Sequence, residues 1–269
     1  MSVIRKITQI IRELYQGRVL LLDLTQKDLK KKFAGSVFGL FWAFAQPLMT
    51  ILVYWVAFQF GFRSPDVGDV PYALWFMAAI VPWLFISESI SSSSNCFIEY
   101  SYLVKKVMFN IDILPMTKIL SSFFVHAVFL LFIQVIYILG GIWPTFKLVQ
   151  IIYYAVCAIS LTYAISLIFS SIIVFFRDLS QIISIILLVG MWTTPIAWNI
   201  DYFSESVQNI LRLNPFYYIV EGYRDSFIGR DWFFQKIGIS IYFWVITLML
   251  LVVGTVLYNR LKPHFADIL

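Results

Sequence analysis

At 269 residues, 61% hydrophobic and only 13% charged, with a mean hydropathy of +0.84, the chain is too apolar for a soluble domain, whose usage runs nearer half apolar and a quarter charged. Its net charge of +5 lies in short segments between apolar runs, which speaks for the loop asymmetry that orients membrane helices and against a nucleic-acid footprint. Cys96 and Cys157 stand far apart with no histidine at ligand spacing, so neither a disulfide framework nor a metal site is expected.

At the N-terminus, Val3, Ile4, Ile7, Ile10, Ile11 and Leu14 recur at threes and fours, while Arg5, Lys6, Gln9, Arg12 and Glu13 take the other face. That pattern predicts an amphipathic helix lying in the membrane interface. A second short helix is expected from Thr25, whose hydroxyl would cap with Asp28 three residues on. Its basic end, Lys30, Lys31 and Lys32, would meet lipid head groups. The apolar run at 19–22 is too short for a cleavable signal, so the N-terminus is expected to stay in the cytoplasm.

Six apolar runs follow, at 37–62, 71–97, 114–140, 148–176, 179–199 and 237–258. Each is about 20 residues or more, the length a helix needs to cross ~30 Å of hydrocarbon. The expected fold is therefore an all-α polytopic membrane protein with six transmembrane helices. Residues 1–36 form the N-terminal interfacial part, 37–259 the membrane domain and 260–269 a tail. With the N-terminus inside, fourteen of the 20 basic residues fall on the cytoplasmic side and six outside, which supports both termini inside.

Two loops are long. Residues 95–118, NCFIEYSYLVKKVMFNIDILPMTK, form the longest polar interruption on the basic side and carry a short helical pattern of their own, so another molecule is expected to grip them. On the other side, residues 200–236 contain Asn214-Pro215, an N-cap followed by the residue favoured at the first helical position. Phe216, Ile219, Val220, Tyr223 and Phe227 then recur at helical spacing. A short re-entrant or interfacial helix carrying Tyr217, Tyr218 and Arg224 is expected there, as a lid over a path. Glu221 and Asp225 are read as a solvated face paired with Arg224 in preference to an acid/base couple.

No G-x-x-x-x-G-K-[ST], H-E-x-x-H or G-x-S-x-G occurs, so no P-loop and no common hydrolytic centre is expected. Glu88, amid the serines of 87–94, is an ionisable group inside a span, and such groups are usually functional. At 1.5 Å per residue it lies about 14 Å from its helix end, and His126 about 16 Å from its own. Either the two touch as a buried polar pair or Glu88 faces a hydrated cavity. Phe38 and Trp42 near Gln46-Pro47, and Trp192 and Trp198 around Thr193-Thr194-Pro195, are either packing and belt residues or a stacking surface on which sugar rings slide.

Three blocks together resemble a known family. DLTQKDLKKKFAGSVFGLFWAFAQPLM at 23–49, YLVKKVMFNIDILPM at 102–116, and RDLSQIISIILLVGMWTTPIAW at 177–198 followed by LNPFYYIVEGYRDSF are similar to the permease subunits of polysaccharide and polyol-phosphate ABC exporters. Within that family, VYWVAFQFGFRS at 53–64 and the closing HFADIL most resemble teichoic acid exporters. Asn110 stands where members often carry a second proline.

The resemblance implies a multi-pass protein of the bacterial plasma membrane with no cofactor of its own. It would pair with a second copy and with two copies of an ATP-binding subunit that holds ATP and Mg. The cargo would be a glycan or polyol-phosphate polymer on undecaprenyl diphosphate: teichoic acid, or alternatively O-antigen or capsular polysaccharide. Phe38, Trp42, Trp192 and Trp198 become candidate polymer contacts, and Lys30, Lys31 and Lys32 the place where the lipid diphosphate enters. Phe97, Tyr100 and Val104 would seat in a groove of the ATPase, with Lys105 and Lys106 on its rim. The rival from another class is an ion-coupled carrier or channel with Glu88 as its ion site; a membrane-bound transferase would need clustered acids, bases or metal ligands, which are missing.

Overall fold

A computed structural model describes residues 3–32, 36–39, 41–105 and 110–269, and these are helical almost throughout. Two N-terminal helices, α1 (Val3–Gln16) and α2 (Arg18–Lys32), precede α3 (Phe41–Val56), α4 (Tyr72–Ser94) and the one-turn helices α5 (Cys96–Glu99) and α6 (Ser101–Val104). After them come α7 (Leu114–Leu139), α8 (Gln150–Ile173), α9 (Leu179–Thr193), α10 (Glu205–Arg212), α11 (Pro215–Ile228), α12 (Ile237–Leu261) and α13 (Phe265–Ile268).

The helix expected from Thr25 begins earlier, at Arg18, and Thr25 is no cap. Its hydroxyl donates back to the Leu21 carbonyl at 2.7 Å, as a mid-helix threonine does. The cause lies in the inward stripe Leu21, Leu24, Thr25 and Asp28, whose helical spacing carries the pattern through Thr25 and turns one face of α2 to the bundle. From α1, Ile10 is buried while Arg5, Gln9 and Arg12 stay exposed.

Among the described residues, five helical segments are long and apolar enough to cross a membrane: Phe41–Gly61, Tyr72–Ser94, Ile111–Leu139, Phe146–Ile173 and Phe233–Ile268. The sixth expected span, 179–199, is not one of them. Its helix α9 is 15 residues, about 22 Å at 1.5 Å per residue, short of the ~30 Å hydrocarbon core. Pro195 explains the early stop, because its ring drives the preceding residue out of helical geometry; Thr194 is extended at φ −94° and ψ 132°.

Within the bundle α4 is the central pillar. Its apolar window is 72% buried, against 6% for Phe41–Gly61, and it packs on α7, α8 and α11. Small hydroxyl residues permit the close approach of α4 and α8: Ser89, Ser93, Ser166 and Ser170 are all fully buried, and Ser93 and Ser166 share a hydrogen bond. By contrast α3 and α9 leave Leu48, Met49, Val53, Ile185, Leu188 and Val189 bare.

The start of α11 matches its sequence signature. The Asn214 side chain accepts the Phe216 N–H at 3.0 Å with Pro215 at the first position, and Gly229 closes the helix at φ +75°. Asn214 also donates to the Thr194 hydroxyl at 2.9 Å, tying α11 to the end of α9. Asn214→Ala is therefore expected to cost about 1 kcal/mol, read as a lower unfolding midpoint in detergent, with Asn214→Ser recovering most of the loss.

Candidate functional site

Two adjoining cavities of about 290 and 380 Å³ open where α2, α3, α4 and α7 meet, sharing Lys32, Glu88, Ser121 and Ser122. The first runs up apolar walls of Val81, Leu84, Phe85, Val125 and Phe129 to His126, with Trp42, Gln46, Pro47 and Thr50 of α3 along one side. The second is polar, edged by Asp28, Lys31, Asn95, Glu99 and Lys118. One end of this space suits a charged head group and the other an apolar or ring-bearing chain.

Glu88 and His126 both line the space but do not touch each other. Glu88 forms an ion pair with Lys32 of α2, whereas the His126 ring stacks on Phe85 at 4.8 Å and its Nε2 meets the Tyr223 hydroxyl of α11 at 2.9 Å. Equal depth along two helices does not fix rotation about their axes, and rotation sends the two side chains to different partners. Of the three lysines, Lys32 is paired, Lys31 stands 5.0 Å over the Tyr100 ring and Lys30 is exposed.

At the edge of the polar cavity, charged side chains join α2 to α5 and α7. The Lys118 ammonium contacts Asp28 at 2.6 Å and Glu99 at 2.5 Å, and Tyr100 donates its hydroxyl proton to Asp28 at 2.7 Å. Burial and the neighbouring Asp28 carboxylate push the Tyr100 phenol well above its ordinary range. A second network surrounds Asp112, which accepts from the Tyr258 hydroxyl of α12 and from the Lys262 ammonium just beyond that helix. Asn110 caps the turn Ile111–Ile113 by accepting the Asp112 N–H at 3.1 Å and donates to Glu13 of α1 at 3.3 Å. The amide thus does locally what a proline there could not, since proline offers no side-chain hydrogen bond. Hydrogen bonding to the Asp112 carboxyl, then burial, raises the Glu13 carboxyl.

Three loop residues expected at a partner's groove, Phe97, Tyr100 and Val104, are buried inside this chain. Phe97 stacks on Tyr258 at 5.8 Å and packs at a tilt against Phe265 at 5.0 Å, because α12 and α13 fold over the apolar face of α5 and α6. Among its described residues the loop presents outward Tyr102, Lys105, Asn110 and the half-exposed Glu99 carboxylate. Lys106 lies outside the described residues.

At the far end, α11 is a wedge in the core. Tyr217, Tyr218 and Arg224 are all buried, so the solvated face expected around Arg224 is absent. The Arg224 guanidinium lies 3.5 Å over the Trp75 ring, meets Glu221 at 3.0 Å and donates to the Ile196 carbonyl at 2.7 Å. Asp225, the other half of the acid pair, turns away to Lys236 at 2.5 Å, yet burial still pushes its carboxyl up to about 6. The four candidate aromatics separate into two pairs. Phe38 and Trp42 sit edge to face at 6.0 Å, both exposed, near the cavity mouth. Trp198 donates to the Trp192 carbonyl at 3.2 Å, and both rings border a cleft with Tyr54 near the other end of α3.

A family model described as ABC-2 type transporter matches residues 20–228. The chain belongs to that family. This ABC-2 permease is 28% identical over 252 residues to an O-antigen export system permease protein RfbA of Klebsiella pneumoniae, covering 93% of this chain and 95% of the relative. It is 30% identical over 224 residues to an O-antigen export system permease protein RfbA of Myxococcus xanthus, covering 81% and 84%. The matched stretch takes in nearly all of α2 and the whole of α3 to α11, hence both cavities and the Asp28–Lys118 network.

Proposed function

We propose that this ABC-2 permease is the membrane-spanning subunit of an ATP-driven exporter for a lipid-linked polysaccharide, acting as a pair with a second copy and with two copies of an ATP-binding subunit. Its near full-length similarity to O-antigen export permeases carries the reading. Those relatives favour the O-antigen-type cargo over the teichoic acid that 53–64 and the C-terminal residues suggest. The sequence has no nucleotide-binding P-loop, in keeping with a separate ATPase. An ion-coupled carrier has less support, because Glu88 already has a counter-ion in Lys32.

In this reading α2, α5, α6 and both termini are cytoplasmic. The lipid diphosphate enters at Lys30, Lys31 and Lys32, displacing Glu88 from Lys32, and phosphate oxygens replace the carboxylate. Lysine suits this exchange as a solvated point charge at the interface. The first sugars lie beside Trp42 and the apolar wall. The bare faces of α3 and α9 pair across the dimer axis, with Phe38, Trp42, Trp192 and Trp198 as sliding surfaces at either end. Closure of the ATPase dimer presses on Tyr102, Lys105 and Glu99. Through Glu99 and Tyr100 the push reaches Lys118 and Asp28, and so α2.

Purification and ATPase assays test the reading. A soluble ATPase encoded with the permease is expected to copurify at equal stoichiometry, and its hydrolysis to rise with undecaprenyl-diphosphate-linked O-antigen more than with lipid-linked polyol phosphate. A permease that retains no ATPase, or an order of stimulation reversed between the two glycans, would count against it.

A further inference from the structure

A third cavity, of about 370 Å³, opens at the α11 end of the bundle between the segment preceding α4, residues 195–201 and helices α10 and α11. Its lining carries three guanidinium groups, Arg212, Arg224 and Arg230, and two carboxylates, Asp201 and Glu221. Their commitments differ. Arg224 is fully buried and held by Glu221, by the Ile196 carbonyl and by the Trp75 ring, which uses up the Glu221 charge. Arg212 meets a neutral amide oxygen, Gln208 Oε1 at 3.2 Å, and the neutral Tyr217 hydroxyl, and among the described residues neither Arg212 nor Arg230 makes an ion pair. Two guanidinium groups therefore face the space against one uncommitted carboxylate, Asp201.

We propose that this cavity binds an oxyanion, phosphate or carboxylate, between the forks of Arg212 and Arg230 with Arg224 as its fixed floor. Guanidinium groups match both anions in a two-point geometry that an ammonium cannot supply. Arg224 is already immobilised, so little side-chain freedom is lost there when a ligand arrives. The anion site stands whether or not the chain exports a glycan. Two sources share the chemistry: a phospholipid head group of the surrounding leaflet, or an acidic substituent on a sugar leaving the bundle.

The test is thermal unfolding of the full chain in phosphatidylcholine nanodiscs, with sodium phosphate or sodium glucuronate against sodium chloride at matched ionic strength. A ligand that binds only the folded state raises the midpoint in proportion to the logarithm of its saturation. Phosphate and glucuronate are expected to raise it and glucose to leave it unchanged. Arg212→Gln with Arg230→Gln should abolish the rise while unfolding normally in chloride. As a second variant that keeps both arginines, Asp201→Asn should tighten phosphate binding about fivefold by removing the opposing charge. Absence of any rise in the wild-type chain, a rise retained in the double variant, or glucose acting like glucuronate would overturn the proposal. Loss of the phosphate effect in phosphatidylglycerol discs assigns the site to lipid head groups, and an unchanged effect assigns it to the acidic group of a glycan.

Discussion

Lys118→Met is expected to destabilise the protein by about 3–5 kcal/mol, the range found when one partner of a buried ion pair is removed. Only 8% of the Lys118 side chain and 5% of the Asp28 side chain are exposed. Losing the ammonium leaves Asp28 charged in the interior with Tyr100 as its remaining donor. Asp28→Asn alone should be less harmful, because Lys118 keeps Glu99 as a counter-ion. The double variant should cost less than the sum of the singles, by about 0.5–3 kcal/mol, because each single leaves one half of the same pair without its partner. Denaturation midpoints of the four proteins measure this directly. Tyr100→Phe removes one hydrogen bond and should cost about 1 kcal/mol. In the proposed transport cycle it also weakens the link between the loop and α2, so ATP hydrolysis should continue at a normal rate while export falls. Export and hydrolysis falling in step would place the link elsewhere.

Gly222→Ala should be the most damaging conservative change at the α11 end. A Cβ at that position would lie 2.0 Å from Tyr154 Cε1, far inside van der Waals contact. Tyr154 cannot swing away, being itself buried between Tyr218 and Tyr223. Overpacking of this kind costs about 1–3 kcal/mol or more, and here it lifts α11 off α8. The expected result is a lower unfolding midpoint and new protease sensitivity at residues 200–230. Tyr154→Leu in the same chain restores space and should recover much of the loss. A Gly222→Ala protein as stable as the wild type would mean that α11 is a loose lid, as its sequence suggested, and not a wedge.

The helices were legible because their apolar runs have membrane length, and Asn214-Pro215 marked the start of α11 without ambiguity. The shortening of α9 could have been read from Thr194-Pro195, but an apolar run continuing to Trp198 masked it. Helical spacing at Phe97, Tyr100 and Val104 identified an apolar face and could not say whether that face meets a partner or the chain's own α12 and α13. The Glu88 and His126 depths gave height without rotation, so the pairing failed although both residues line one cavity. Lys118 counted in the sequence only as a charge in a tally, and Arg224 as the partner of a solvated acidic face. Their burial depends on partners distant along the chain, Asp28 for one and Trp75 for the other, and local pattern carries no trace of such partners.

The most direct test of the central claim is export by purified components: the permease and its ATPase in proteoliposomes loaded with undecaprenyl-diphosphate-linked O-antigen on the ATPase-bearing side. Polysaccharide should reach the opposite face only with ATP and both subunits present, and Tyr100→Phe should slow its arrival more than it slows hydrolysis. Transfer at the same rate without ATP or without the ATPase would contradict the account.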